Sequence, residues 1–226
     1  MNRKPVITID GPAGAGKTTV SQRIANIYQY IWVDTGALYR GVALAAMQKG
    51  IAVNDSAELD HLCHSLNLHF VREDNQLILY NFDQNISNAI RTPEVTMMAS
   101  KISANPLVRQ YLLDVQRKLG CQGGAVFEGR DMGTVVFPDA DIKFFLVADH
   151  EIRAQRRYKE CLEKSIKTSL AELSNDMKQR DEQDQQRKIA PLKPAKDAIH
   201  IDCTSMDIDQ VVQRMCLEIN TKIGNE

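Results

Sequence analysis

An α/β fold with a parallel sheet is what this sequence predicts, and three observations predict it. Short apolar, β-branched runs alternate with segments of helical period, the pattern of βαβ units. The first of these runs leads directly into a glycine-rich turn and then a helix. The 226 residues, 43% of them hydrophobic, suffice for one large core with small excursions, or at most two domains.

The elements follow in order. Val6 to Ile9 is apolar and β-branched, as a strand buried on both faces should be. After the turn from Gly11 to Gly16, Lys17 to Tyr30 predicts a helix with Val20, Ile24 and Ile27 at helical spacing. Ile31 to Val33 reads as a second strand, and Ala37 to Gln48 as a helix stopped near Gly50. Leu68 to Val71 and Leu77 to Tyr80 flank Glu73, Asp74 and Asn75, a β-hairpin pattern that looks like an insertion. Leu107 to Leu119 is helical, and Ala125 to Phe127 and Ile142 to Val147 suit buried strands. Glu151 to Leu162 and Ser169 to Arg187 are charge-rich helical segments, Ile199 to Ile201 a last strand and Ile208 to Ile223 a last helix. Met97 and Met98 read as core residues, and Gly123–Gly124 as a turn before a strand.

Composition excludes several classes. A formal net charge of −1 argues against a dedicated nucleic-acid binder. No stretch approaches the ~20 apolar residues that span a bilayer, and the N-terminus lacks the length and cleavage site of a signal peptide. Cys63, Cys121, Cys161, Cys203 and Cys216 form no Cys-x-x-Cys pair, which suggests free thiols in a reducing compartment. His61, Cys63 and His64 are metal-like residue types without a second ligand pair, and the segment reads as the end of an amphipathic helix, so zinc is not expected. The expectation is a cytoplasmic monomer with no nucleic-acid or membrane partner.

Gly11-Pro12-Ala13-Gly14-Ala15-Gly16-Lys17-Thr18, with Thr19 behind it, fits Gly-x4-Gly-Lys-Ser/Thr, with a strand before and a helix after. Glycines let the backbone wrap phosphate oxygens with its N–H groups turned inward. The following helix presents its positive end to the same phosphates. Lys17 adds a mobile cation, and Thr18 offers a hydroxyl to Mg²⁺. The motif indicates nucleotide binding and leaves open a kinase, a hydrolysing switch or a sensor.

Arginines narrow the choice. An enzyme that phosphorylates a phosphate needs no general base, because a phosphomonoester is already ionised with a second pKa of about 6. It needs cations that hold two anions together, and arginine binds phosphate in a bidentate way. Arg40, Arg130, Arg180 and Arg187 stand at positions suited to this, with Arg130 just past a predicted strand end. Arg153, Arg156 and Arg157 read instead as solvated charges on a polar helix.

Taken together, the residues resemble the bacterial cytidylate kinases over essentially the whole chain. The resemblance rests on Ile7 to Thr18, Asp34 to Arg40 (DTGALYR), Ile90-Arg91-Thr92 and Glu128 to Asp139 (EGRDMGTVVFPD). It extends to Arg180, Asp181, Asp184, Arg187, Ala190-Pro191-Leu192 and Asp197-Ala198. It implies a three-layer P-loop fold with a five-stranded parallel sheet, an inserted monophosphate-binding region with a small antiparallel sheet, and a helical lid. In this chain the core would be about 1–60, 100–150 and 188–226, the insertion about 61–99 and the lid about 150–187. The implied reaction is transfer of the γ-phosphate of ATP to CMP or dCMP with Mg²⁺. The implied catalytic residues are Lys17, Arg130 and Arg187. Ser100, Arg109 and Asp131 would face the base, Arg180 and Asp184 the sugar, and Thr35, Arg40, Arg130 and Arg187 the monophosphate. Glu128 would hold Mg²⁺ through water. One departure stands out: between Arg180 and Arg187 the sequence Asp181-Glu182-Gln183-Asp184-Gln185-Gln186 carries none of the extra arginines of many relatives. Arg153 or Arg157 could substitute toward the ATP phosphates.

Overall fold

The computed structural model describes residues 3–73, 76–163 and 165–224. Its main sheet contains β1 (Val6–Asp10), β2 (Ile31–Asp34), β6 (Ala125–Gly129), β7 (Ile142–Val147) and β8 (Ile199–Asp202). All are parallel, in the order β2-β6-β1-β7-β8. Alternate residues of β1 and β6 serve the two faces. Ile7, Ile9 and Val126 pack against helices α1 (Lys17–Tyr28) and α8 (Ile208–Ile223), while Val6, Ala125 and Phe127 pack toward α5 (Pro106–Gly120) on the other side. This is the predicted three-layer arrangement.

Local chemistry accounts for the helix limits. α1 ends two residues before Tyr30, because Gln29 turns left-handed (φ 56°) and the Tyr30 amide donates back to the Ala25 carbonyl at 2.8 Å. α2 (Thr35–Gln48) is closed in the same way at Gly50 (φ +68°). α3 (Ser56–His64) ends on the segment His61 to His64 that reads as a helix end, whereas α4 (Pro93–Ile102) lies outside the sequence expectation. α4 carries a start signal nonetheless: Thr92 accepts the Val95 amide at 3.2 Å and Pro93 opens the helix.

The hairpin is present as β3 (Leu68–Glu73) and β4 (Gln76–Asn81), antiparallel in the register Phe70↔Leu79. Its expected turn at Asp74 and Asn75 lies outside the described residues. A two-residue strand, β5 (Gln84–Asn85), adds a third member. Leu68, Leu79, Val95, Ala99 and Ile102 share one apolar cluster with Leu38, Val42 and Ala46 of α2 and Leu112 of α5. The small sheet therefore rests on the same core as the helices beside the main sheet. Met97 corrects an expectation: Val95, Ala99 and Ile102 define the inward stripe of α4, so Met97 falls on the outer face and is 58% exposed. The charge-rich segments form α6 (His150–Glu163) and α7 (Leu170–Gln186), the latter started by a Ser169–Glu172 capping box.

Candidate active site

β2, β6 and β1 are parallel neighbours, so their C-terminal ends lie side by side at the edge of the sheet where such folds collect ligands. The loop after β1 leaves from this edge. Gly11 has φ +148°, and a Cβ there would stand 2.2 Å from the Leu146 carbonyl oxygen, so only glycine lets the loop leave the sheet this closely. Lys17 folds over the loop and its ammonium donates to the Pro12 carbonyl at 2.7 Å. Burial, and then the positive charge of Arg130, hold the Lys17 ammonium well below the usual lysine range. The Thr18 hydroxyl donates to Glu128 Oε1 at 2.9 Å. Burial and the nearby Asp34 charge push the Glu128 carboxyl up to about 7, although Lys17, Thr18 and Arg130 pull the other way. Its second oxygen is buried with no hydrogen-bond partner among the described residues. A carboxylate with one free oxygen, beside a hydroxyl and a phosphate loop, is a donor set that suits a hard divalent cation.

Beside the loop, β2 and α2 supply Thr35 and Arg40. Thr35 donates to the Glu128 carbonyl at 2.7 Å, and Arg40 pairs with Asp34 at 2.6 Å. Arg130 pairs with Asp184 at 2.8 Å, and Arg187 binds the other oxygen of the same carboxylate. Burial raises the Asp184 carboxyl, but Arg130, Arg187 and Arg180 outweigh it and hold the group below the usual range. Burial and the charge of Arg130 push Arg180 down to about 10, with Arg40 and Arg187 adding to the crowding. The Arg180 Nε is buried without a partner among the described residues. Lys17, Arg40, Arg130, Arg180 and Arg187 thus converge on Asp34, Glu128 and Asp184, a surplus of cations suited to phosphate.

Asp131 lies deeper and is ion-paired with Arg109, both buried. Arg109 also donates to the Ser103 carbonyl at 3.2 Å and lies over the Tyr39 ring. Ser100 stands at the rim, 3.5 Å from Gln183, on a cleft of about 520 Å³ between α4 and the end of α7. The structure therefore joins Arg130, Asp184 and Arg187 in one ion-pair network and pairs Arg109 with Asp131 in the interior, while of the predicted site residues Ser100 and Arg187 line the cleft between α4 and α7.

Arg153 overturns its reading as a solvated charge. It is buried, donates to the carbonyls of Ala13 and Ala148 at 2.9 Å each, and pairs with Asp181. Asp181 in turn accepts the Ala13 amide at 3.4 Å. Arg156 is half-buried and donates to the Cys203 carbonyl at 2.7 Å, whereas Arg157 keeps its expected exposure beside Glu160. Sequence reasoning assigned no role to Asp10 either. Its two oxygens accept the Met132 and Gly133 amides at 2.9 and 2.8 Å. Burial pushes its carboxyl up to about 6 despite those two bonds; Asp131 adds to the rise and Lys17 opposes it.

The family model for cytidylate kinase matches residues 7–221. This chain belongs to the cytidylate kinase family. The cytidylate kinase of Syntrophotalea carbinolica is 48% identical over 216 residues, 95% of this chain and 92% of that protein. The cytidylate kinase of Methylococcus capsulatus is 46% identical over 215 residues, covering 95% and 96%. The fold recurs in the crystal structure of an uncharacterized protein from Eubacterium ventriosum, with a TM-score of 0.55 at 13% identity over 96% of this chain and 99% of the other. No described helix is long and apolar enough to cross a membrane.

Proposed function

We infer that this chain transfers the γ-phosphate of ATP to CMP or dCMP, giving ADP and CDP or dCDP. The observation that carries this reading is the surplus of arginines facing the phosphate loop, with the buried Arg109–Asp131 pair beside them. Residues 11–19 hold the ATP phosphates on backbone N–H groups, and Lys17 moves from the Pro12 carbonyl onto the phosphates. Arg40, Arg130 and Arg187 clamp the acceptor monophosphate in line, and Arg130 and Arg187 meet the negative charge on the transferring group. No general base is required, since the acceptor oxygen is ionised. Thr18, with Glu128 through water, would hold Mg²⁺, which would supply positive charge against the phosphates.

Base selection follows from polarity. Asp131 accepts from the cytosine N4 amino group, and Arg109 donates to O2 or N3. Uracil would turn its O4 acceptor toward Asp131, leaving two acceptors opposed. Arg180 and Asp184 attend the sugar, and Ser100 the outer edge of the base. Residues of about 61–99 act as the monophosphate-binding insertion. Those of about 150–187 act as a lid that excludes water, which would otherwise compete for the γ-phosphate. The chain acts as a cytoplasmic monomer, in keeping with five free cysteines.

The test is ADP release from Mg-ATP with CMP, dCMP, UMP, AMP and GMP. Turnover with CMP and dCMP far above UMP is expected, and Asp131→Ala should narrow that preference. ATP binding without turnover on any monophosphate would refute the kinase reading in favour of a switch or sensor. An unchanged CMP/UMP ratio in the variant would move base reading elsewhere.

A further inference from the structure

Asp10 closes β1, and the next residue is Gly11, the first of the phosphate loop. Its side chain does not face the loop. Asp10 is paired in register with Gly129 on the neighbouring strand, and its carboxylate reaches past the end of β6. There the chain runs Arg130-Asp131 and enters a single wide turn, Met132–Val136, in which the Phe137 amide returns to the Met132 carbonyl at 2.7 Å. One Asp10 oxygen accepts the Met132 amide at 2.9 Å and the other the Gly133 amide at 2.8 Å. These are two of the N–H groups at the start of a helical turn, which have no partner within the turn itself. Asp10 is 4% exposed, so water cannot replace it in this role.

A buried carboxylate is costly, and this one stands in the field of a second, Asp131, with the Lys17 ammonium opposing it. A turn that only needed capping could use a neutral acceptor. A charged, forked acceptor fixes two successive amides in one plane, and with them the peptide that follows Asp131. Asp131 itself has a backbone outside the helical and strand regions (φ −143°, ψ 23°), so its side-chain direction depends on what holds the next two residues.

We propose that Asp10 is a positioning residue for acceptor recognition: it fixes the turn after Asp131 and so determines how strictly the enzyme selects its nucleobase. The proposal rests on the reading of Asp131 as the residue facing the base. It also makes β1 a shared support, with the phosphate loop leaving its backbone and the base reader held by its last side chain.

The experiment compares wild type, Asp10→Asn and Asp131→Ala by steady-state kinetics with CMP and UMP at saturating Mg-ATP, and by ATP titration. Asparagine keeps the shape of aspartate but offers one oxygen, and its amide group faces the second N–H. Asp10→Asn is expected to raise KM for CMP about tenfold and to narrow the kcat/KM ratio of CMP to UMP by a similar factor, the scale of one charge-assisted hydrogen bond. KM for ATP should stay within about twofold. A purely structural role would disturb Gly11 first, so an ATP KM that rises as much as that of CMP overturns the proposal, as does an unchanged CMP/UMP ratio. If Asp131→Ala also leaves the ratio unchanged, the assignment of the base reader has failed, and the proposal with it. Amide hydrogen exchange in wild type gives a readout that needs no variant. The Met132 and Gly133 amides should exchange more slowly with CMP bound than with UMP, and equal protection overturns the link between this turn and the base.

Discussion

Arg153→Ala offers a demanding test of how α6 and α7 are held against the phosphate loop. The guanidinium makes two 2.9 Å bonds to the carbonyls of Ala13 and Ala148 and an ion pair with Asp181. The paired side chains are only 8% and 11% exposed, so solvent screens the pair little. Removing the arginine leaves Asp181 as a buried carboxylate whose remaining contact is the 3.4 Å bond from the Ala13 amide. Breaking a buried pair from one side costs about 3–5 kcal/mol. For a chain of this size that corresponds to a fall in melting temperature of roughly 10 °C. Urea unfolding of wild type, Arg153→Ala, Asp181→Asn and the double variant forms a cycle in which the second substitution should recover part of the loss, because no unpaired charge remains. ATP affinity should fall with the single arginine change, since the loop loses its anchor at Ala13. A single variant within about 1 kcal/mol of wild type would refute the reasoning, because it would mean that Asp181 finds water or another partner where the structure leaves it none.

Three further expectations are independent of that pair. Arg130→Ala removes the guanidinium that pairs with Asp184 and acts on Lys17, and turnover should fall about 10³- to 10⁵-fold; wild-type-like turnover with CMP would take Arg130 out of the mechanism. Gly120→Ala would bring a Cβ within 2.4 Å of the Phe137 ring, which is itself tilted against Phe127 with ring centroids 4.3 Å apart, so denaturant unfolding should show a loss of about 1–3 kcal/mol. Asp10 titrates at about 6 in the folded protein against 3.8 ordinarily, so the folded state holds its proton more tightly than the unfolded chain does. Its contribution to stability is therefore fully present below pH 3.8 and is lost as pH rises through 6. The stability difference between wild type and Asp10→Asn should shift against wild type by about 3 kcal/mol from pH 3 to pH 8, and a flat difference would contradict the burial of a charged Asp10.

The sequence by itself determined the parts whose chemistry is local. The span from Gly11 to Thr18 is legible because wrapping a phosphate needs glycines, a lysine and a hydroxyl at fixed offsets along one strand–turn–helix. The parallel strands were legible because burial on both faces leaves short β-branched runs, whereas α4 went unread although Thr92-Pro93 carries helix-start chemistry. Arg40, Arg130 and Arg187 were legible as cations suited to phosphate, but longer matching strings were needed to give each a place, since an arginine alone has no spacing to reveal its partner. The tertiary structure decided the rest. Arg153 looks like any charge on a polar helix until the fold lays it on Ala13, 140 residues away in the chain. Asp10 looks like the end of a strand until β6 brings the Met132 and Gly133 amides to it across more than 120 residues. Met97 and Met98 are identical as sequence, and only the direction in which α4 meets α2 exposes one and packs the other. A side chain's role follows from what surrounds it, and for these residues the surroundings are supplied by distant segments that only the parallel sheet and its layered helices bring together.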